Sequence, residues 1–370
     1  MNVLKTAARL IQAESPSGGE APAARVLMEE ARALGFAPEL DDAGNVEFVL
    51  GEGEAEVLLT GHMDVVPAGD EAEWPHPPFA GRVVDGELWG RGAVDMKGAL
   101  AAMLGAMADL AADPPPGRVR FLAVVQEEVG GLGSRFAAQR LSADVAILGE
   151  PSRNRLMRGH RGRLEVWADY EGRLAHAARP ELGHNPLPEL GRFLAALEAF
   201  ETAEHPELGP ASCTPTFVGS RPEATNVVPG LAQVCVDYRF VPGEDPDAIL
   251  ERMRLIAGDA SVYVPEILRS SGEVEMRYPM VFPPHLVPAD HPLLAAALAE
   301  LGQEEAGVWW FTTDAPYLAA SGAVVLGLGP GDPEFAHTTQ ERVAVRELEE
   351  AAALYARLAR RLLEVLHGQA

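Results

Sequence analysis

The sequence has little of several things, and each shortage excludes a class of protein. Cysteine occurs twice, at Cys213 and Cys235, and neither sits in a CxxC pair or beside histidine. Two such residues make neither a zinc knuckle nor a disulfide framework; they read as small apolar residues of a reducing compartment. Lysine also occurs twice, at Lys5 and Lys97, so nearly all positive charge is arginine, and the net charge is −25. Phosphate backbones need clustered Lys and Arg, so the expectation is no nucleic-acid partner and no anionic membrane surface. The acidity itself reads as solubility. No apolar run approaches the length of a membrane span, and the amphipathic "MNVLKTAARLIQAESPSGGE" is short of a signal peptide's apolar core. A soluble, cytoplasmic protein is expected. No Gly-rich GxGxxG turn follows the first strand, which rules out a dinucleotide-binding dehydrogenase. Internal repeats and low-complexity tracts are also missing.

What is present suits two domains: 370 residues with 47% apolar content. Helical spacing runs from about Leu4 to Leu34, broken at "ESPSGGE". Strands follow at "NVEFVL" and "EVLLTGHMDVV". The segment "GALAAMLGAMADLAAD" is apolar almost all round, which marks a buried helix. "RVRFLAVVQEE" and "DVAILGEP" are near-continuous apolar strands. Strands alternating with helices, apolar on both faces, predict an α/β fold with a mostly parallel central sheet. Near Arg158 the character changes. "GRLEVWADYEG" alternates apolar and polar, as a half-buried strand does. The order from there is β-α-β-β-α-β, ending in a last strand at "SVYVPEIL", which predicts an inserted ferredoxin-like α+β unit. The division expected is residues 158–268 for the small domain, with 1–157 and 269–370 forming the large one.

Polar groups close several strands of the large domain. "VLLTGHMD" ends at His62 and Asp64, "VVQEE" at Glu127 and Glu128, and "AILGEP" at Glu150. "VVLGLGPGDPEFAHT" reaches His337 after a loop, and Asp95 stands just before the buried helix. Singly, each has a bland reading as a solvated turn or a structural strand end. Jointly they fall where open α/β sheets bind ligands, beyond the carboxyl ends of the strands. Four carboxylates and two imidazoles in one partly desolvated pocket would protonate or repel. Two divalent cations would neutralise them. Two His and three carboxylates suit a pair of zinc ions with one bridging carboxylate, and the fourth carboxylate is left to take a proton from activated water. One member of the Glu127–Glu128 pair would bind metal and its neighbour would be the base.

"GHMDVVP", "WPHPPFAGRVVDGELWGRGAVDMKG", "QEEVGGLGS", "GEP" and "AHT" together resemble the di-zinc aminopeptidase-type amidohydrolases. That family includes acetylornithine deacetylase, succinyl-diaminopimelate desuccinylase, glutamate carboxypeptidases and aminoacylases. The resemblance covers almost the whole chain and implies a zinc-aminopeptidase-like catalytic domain with an inserted lid and dimerisation domain. It implies that His62 and Glu150 hold one zinc, Glu128 and His337 the other, and that Asp95 bridges them, often with a cis peptide after it. Cobalt or manganese could replace zinc. Asp64 would hydrogen-bond the His62 imidazole and fix its tautomer. Glu127 would be the general base for a water bridging the metals. In the small domain, His176 would stabilise the oxyanion, often across a homodimer, and Asn226 and Arg239 would contact the substrate carboxylate. Thr313, in "WWFTTDAPYLAASG", would lie near that carboxylate, whereas Trp309 and Trp310 could line the pocket but are read in preference as buried packing residues. His160, His184, His205, His285 and His291 match no role and read as structural.

The function implied is hydrolysis of the amide of an N-acyl amino acid. A dipeptidase or carboxypeptidase of the same family, a carrier-protein-linked lysine or ornithine hydrolase, and a non-catalytic protein keeping the fold are the rivals.

Overall fold

The computed structural model describes residues 1–369. A nine-stranded sheet forms its centre, and four adjacent strands in the middle are parallel: Gly117–Val124, Glu56–His62, Val145–Leu148 and Val324–Gly327. The flanking strands, Val46–Glu52 on one side and Met157–His160 on the other, run antiparallel to their neighbours. Successive side chains on a strand point to opposite faces, and the apolar runs divide accordingly. Val57, Leu59, Val119, Phe121, Val145 and Ile147 enter one core; Leu58, Leu122, Val124, Ala146 and Leu148 enter another.

The larger core lies under the helices Val3–Gln12, Lys97–Ala112, Pro292–Leu301 and Val345–Gln369. Lys97–Ala112 is buried on nearly every side, as its all-round apolar sequence predicts. The short helices Leu132–Ala138 and Ala315–Ala319 cover the opposite face. The result is a helix–sheet–helix layering that requires strands apolar on both faces.

The small domain has its own core. Its sheet runs in the order Ser212–Arg221, Leu231–Arg239, Arg163–Glu171, Ser261–Tyr263, with every pair antiparallel. Helices Leu187–Leu197 and Pro246–Ala257 cover the face lined by Leu164, Val166, Ala168 and Tyr170. This is the ferredoxin-like arrangement that the β-α-β-β-α-β order predicts. Ser212–Arg221 is an edge strand, with Phe217 and Val218 exposed.

One expected strand is corrected. "SVYVPEIL" is not continuous: Ser261–Tyr263 ends before Pro265, which has no N–H to give a ladder. The chain then forms a separate hairpin, Glu266–Ser271 with Val274–Pro279. That hairpin leaves the small domain and lies against the large one. Gln126 donates through its side-chain amide to the Ser270 carbonyl at 2.8 Å, and Arg269 Nε donates to the Val129 carbonyl at 3.1 Å.

Candidate metal centre and active site

The central parallel strands end level. His62 is opposite Val124, Thr60 opposite Leu148, and Leu148 opposite Gly327. Whatever follows those ends is therefore delivered to one rim of the sheet. His62 is the last residue of its strand, Glu127 and Glu128 follow Val124 by one turn, and Glu150 follows Leu148. Asp95 precedes the buried helix, and His337 comes from the loop after Val324–Gly327.

These residues meet. His62, Asp95 and Glu150 offer donor atoms within 4.8 Å of one another, and so do Asp95, Glu128 and His337. Asp95 belongs to both groups and divides its oxygens between them. Its Oδ1 lies 2.9 Å from His62 Nε2, and its Oδ2 lies 3.2 Å from His337 Nε2. Glu128 Oε1 is 3.1 Å from His337 Nε2, and Glu150 Oε1 is 3.8 Å from His62 Nε2. A cis peptide follows Asp95. Glu127, Glu128, Glu150, Asp95 and His337 all line one cleft of about 330 Å³.

The electrostatics test whether this set suits cations. Burial pushes the Glu127 and Glu150 carboxyls well above the ordinary range, and nearby Asp314 and Asp95, respectively, push them further. Burial and Asp95 likewise raise Glu128. Hydrogen bonds to Asp95 and Glu128 raise His337 to about 10. Burial opposes a charge on His62, but Asp95, Glu150 and Glu127 together outweigh it and His62 also rises well above its ordinary value. In the bare chain, protons on two imidazoles thus occupy the positions of positive charge among four carboxylates. Hard-to-borderline divalent ions would take those positions with His nitrogen and carboxylate oxygen donors. The residues fit a pair of such ions.

Asp64 supports the site differently from expectation. The His62 Nδ1 hydrogen bond, 2.8 Å long, goes to the Asp64 backbone carbonyl, while the nearer carboxylate oxygen is 3.6 Å away. The Asp64 carboxylate instead accepts the backbone N–H groups of Glu127 at 3.0 Å and Glu128 at 3.2 Å, and the Ser17 hydroxyl at 2.7 Å. One residue fixes the imidazole with its carbonyl and the glutamate turn with its side chain.

The remaining expected residues divide. Arg239 and Thr313 line the cleft. His176 and Asn226 do not: they lie side by side in the small domain, where Ala177 N–H donates to the Asn226 carbonyl at 2.9 Å, and His176 is exposed. Trp309 is buried and donates to the Pro151 carbonyl, as a packing residue would. Trp310 is corrected: it is 61% exposed and lines the cleft. His160 is fully buried and held neutral, its pKa pushed down to about 3 by burial.

Sequence reasoning missed Glu341. It is fully buried and accepts from the backbone N–H groups of Gly92, Val94 and Asp95 at 2.9, 3.0 and 3.2 Å, and from Arg91 at 2.5 Å. It clamps the loop that presents Asp95. The only signal was its place four residues beyond His337, which no periodicity marks.

Residues 58–361 match the family model described as Peptidase family M20/M25/M40. This chain belongs to that family. The M20 chain is a hydrolase, and its curated relatives match over 94% to 97% of its length. It is 32% identical to a succinyl-diaminopimelate desuccinylase of Caulobacter vibrioides, over 97% of this chain and 95% of the relative. Among solved structures, an M20 metallo-carboxypeptidase from Sulfolobus solfataricus superposes with a TM-score of 0.79 at 18% identity, covering 98% of this chain and all of the other. A Staphylococcus aureus tripeptidase gives 0.78 at 20% identity, covering 98% of each chain. At those identities the structures speak for the fold alone: a large α/β domain with a smaller α+β domain inserted in it. Among the described residues, no helix is long and apolar enough to cross a membrane.

Proposed function

We propose that this M20 hydrolase cleaves the amide bond of N-acyl amino acids. The observation that carries the proposal is Asp95, shared by two His/carboxylate groups, with Glu127 left over beside them in a cleft that also holds Arg239. His62 and Glu150 would hold one ion, Glu128 and His337 the other, and Asp95 both. Zinc is the ion proposed, with cobalt or manganese able to replace it. When bound, such ions supply Lewis acidity and make water a nucleophile near neutral pH.

The chain's own groups do the rest. Glu127 removes a proton from the attacking water and delivers it to the leaving amine. Its buried setting favours that task, because a raised pKa makes the carboxyl a usable acid as well as a base. Asp64 holds the Glu127 and Glu128 amides, so both side chains keep their aim. Arg239 grips the substrate carboxylate. His176 and Asn226 lie outside the chain's own cleft, and this supports the reading that they act at the site of a homodimer partner. The open edge strand Ser212–Arg221, with exposed Phe217 and Val218, supports dimerisation through the small domain. Two free cysteines agree with a cytoplasmic enzyme.

Glu127→Ala tests the reading. The variant should bind metal as the wild type does and lose about a thousandfold in kcat. Retained turnover would remove Glu127 from the role. Dipeptides belong in the same assay, since the metallo-carboxypeptidase and tripeptidase likeness favours peptide hydrolysis as the second reading.

A further inference from the structure

The first two helices, Val3–Gln12 and Ala21–Ala33, are joined by a crossing that no step of the proposed chemistry uses. It contains the "ESPSGGE" that interrupts the helical spacing of the sequence. It is not an ordinary surface loop, because Ser15 and Glu20 are buried. It meets three of the segments that carry candidate ion donors. Beside His62, Ser15 Oγ donates to the Met63 carbonyl at 2.7 Å, the Val65 N–H donates to the Ser15 carbonyl at 3.0 Å, and Ser17 Oγ donates to Asp64 Oδ2 at 2.7 Å. Beyond Asp95, the buried Lys97 donates through Nζ to the Ala13 carbonyl at 2.8 Å. Ahead of Glu127, the Gln126 N–H donates to Glu20 Oε1 at 3.1 Å.

Glu20 and Asp64 between them hold the turn that carries the base. The successive N–H groups of Gln126, Glu127 and Glu128 end on Glu20 Oε1, Asp64 Oδ1 and Asp64 Oδ2 in that order. Hydrogen bonds to an ionised carboxylate are the strong kind. The turn needs them, because Gln126 sits at φ 56°, where a residue with a side chain stays only if its surroundings hold it. Glu20 gains little else from its place: burial raises its pKa, Asp64 pushes it the same way, and the backbone N–H groups of Gly18 and Gln126 pull it down. A tight turn aims it. Gly18 takes φ 85°, its N–H donates to Glu20 Oε1 at 2.8 Å, and the Gly19 N–H donates to the Pro16 carbonyl at 2.6 Å. Asp64 Oδ2 is shared, accepting the Ser17 hydroxyl together with the Glu128 N–H.

We infer that Ser17 and Glu20 are positioning residues for the reaction: from the crossing between the first two helices they fix the Gln126–Glu128 turn, Glu20 directly and Ser17 through Asp64, and so set the aim of the Glu127 and Glu128 side chains. The inference rests on the proposed amide hydrolysis and adds the N-terminal crossing to its machinery. Neither residue touches the reacting atoms. Each acts through the turn, so removing either should slow turnover and loosen the ion donors without changing how substrate is held.

The test uses the full chain saturated with zinc, and whichever of N-acetylphenylalanine, N-acetylglutamate and alanylalanine it turns over fastest. Glu20→Ala should lower kcat about tenfold and leave KM within about twofold. Glu20→Gln keeps an acceptor oxygen for the Gly18 and Gln126 N–H groups and should restore kcat to within about twofold of wild type. In a Glu127→Ala background, Glu20→Ala should cost less than about twofold, because the group it aims is gone. A readout apart from turnover is calorimetric titration of the metal-free protein with zinc, where Glu20→Ala and Ser17→Ala should each raise Kd about three- to tenfold through Glu128. A Glu20→Ala protein with wild-type kcat and zinc affinity, and only a lower urea midpoint, makes the crossing a matter of stability and overturns the inference. An equal loss in the Glu127→Ala background overturns it too. Should Glu20→Ala fail to fold, Ser17→Ala, which removes one half-buried hydroxyl, decides by the same kcat and zinc readouts, with Ser17→Thr as its rescue. Wild type that holds zinc and cleaves none of the three compounds overturns the amide reading instead, and the zinc titration then still decides whether the crossing holds the turn.

Discussion

Glu341 shows what a single buried carboxylate can hold. Its Oε1 accepts from three backbone amides of the Asp95 loop and its Oε2 from the Arg91 guanidinium. Glutamine keeps the shape and can leave its oxygen on the three amides, but its NH2 then stands against the Arg91 guanidinium, donor against donor, and the negative charge is lost. Glu341→Gln should therefore weaken metal binding about 10- to 100-fold, the usual cost of losing such support, while far-UV circular dichroism stays unchanged. Calorimetric titration with zinc checks it. The imidazoles give a pH prediction with a definite sign. Their protons are favoured in the bare chain and must leave when metal binds. Metal affinity should rise with pH through the neutral range and fall on acidification, and binding should release protons. Titrations in buffers of different ionisation enthalpy would count them; no release would contradict the donor set. At this scale the sequence was readable where a polar residue ended an apolar run, as at His62 and Glu150. It was not readable for Glu341, whose partners are backbone amides, nor for the division of labour within Asp64. Trp309 and Trp310 are neighbours in sequence with opposite exposure, and composition cannot tell them apart.

Among elements, the Glu266–Pro279 hairpin was the one missed. Its residues alternate regularly between exposed and half-buried or buried, as strands do, but Pro265 looked like an interruption of one strand instead of the end of another. Its place matters because it touches the glutamate turn. Gln126 is held in the left-handed region, φ 56°, and its side chain is tied to Ser270. Arg135 lies 4.1 Å from the Tyr278 ring centroid and donates to the Gly130 carbonyl at 3.0 Å. Arg269→Ala should lower kcat severalfold with KM little changed, because it loosens the aim of Glu127 and not the substrate cleft. A KM-dominated effect would count against that coupling. Helix packing gives a second expectation. A Cβ at Gly133 would fall 2.4 Å from Asn45 Oδ1 and 2.6 Å from the Val125 backbone nitrogen. Backbone cannot move aside as a side-chain tip can, so Gly133→Ala should cost about 1–3 kcal/mol, read as a lower urea midpoint. The parallel strands and the buried helix, by contrast, were plain in the sequence, since continuous apolar runs have few other uses at that length.

For the molecule as a whole, the small domain's edge strand makes a checkable claim. Phe217→Asp puts charge on the exposed edge. It should convert the proposed dimer to monomer in sedimentation velocity, and lose turnover with it if His176 and Asn226 serve the partner's cleft; a dimeric variant would move the interface elsewhere. The alternation of strand and helix, then the switch to half-buried strands near Arg158, made the two-part architecture legible. Which residues of the two parts face each other across the cleft was not, because that depends on orientation and not on pattern.

The donors to the candidate ions come from segments as far apart in sequence as His62 and His337. No partly collapsed chain can gather them before the sheet is ordered and its strand ends are level. Metal should therefore bind the finished protein almost alone, adding about 2.7 kcal/mol at a hundredfold excess over Kd. It should slow unfolding while leaving the refolding rate untouched, so an apo chain should find its shape as fast as a loaded one and merely keep it for less time.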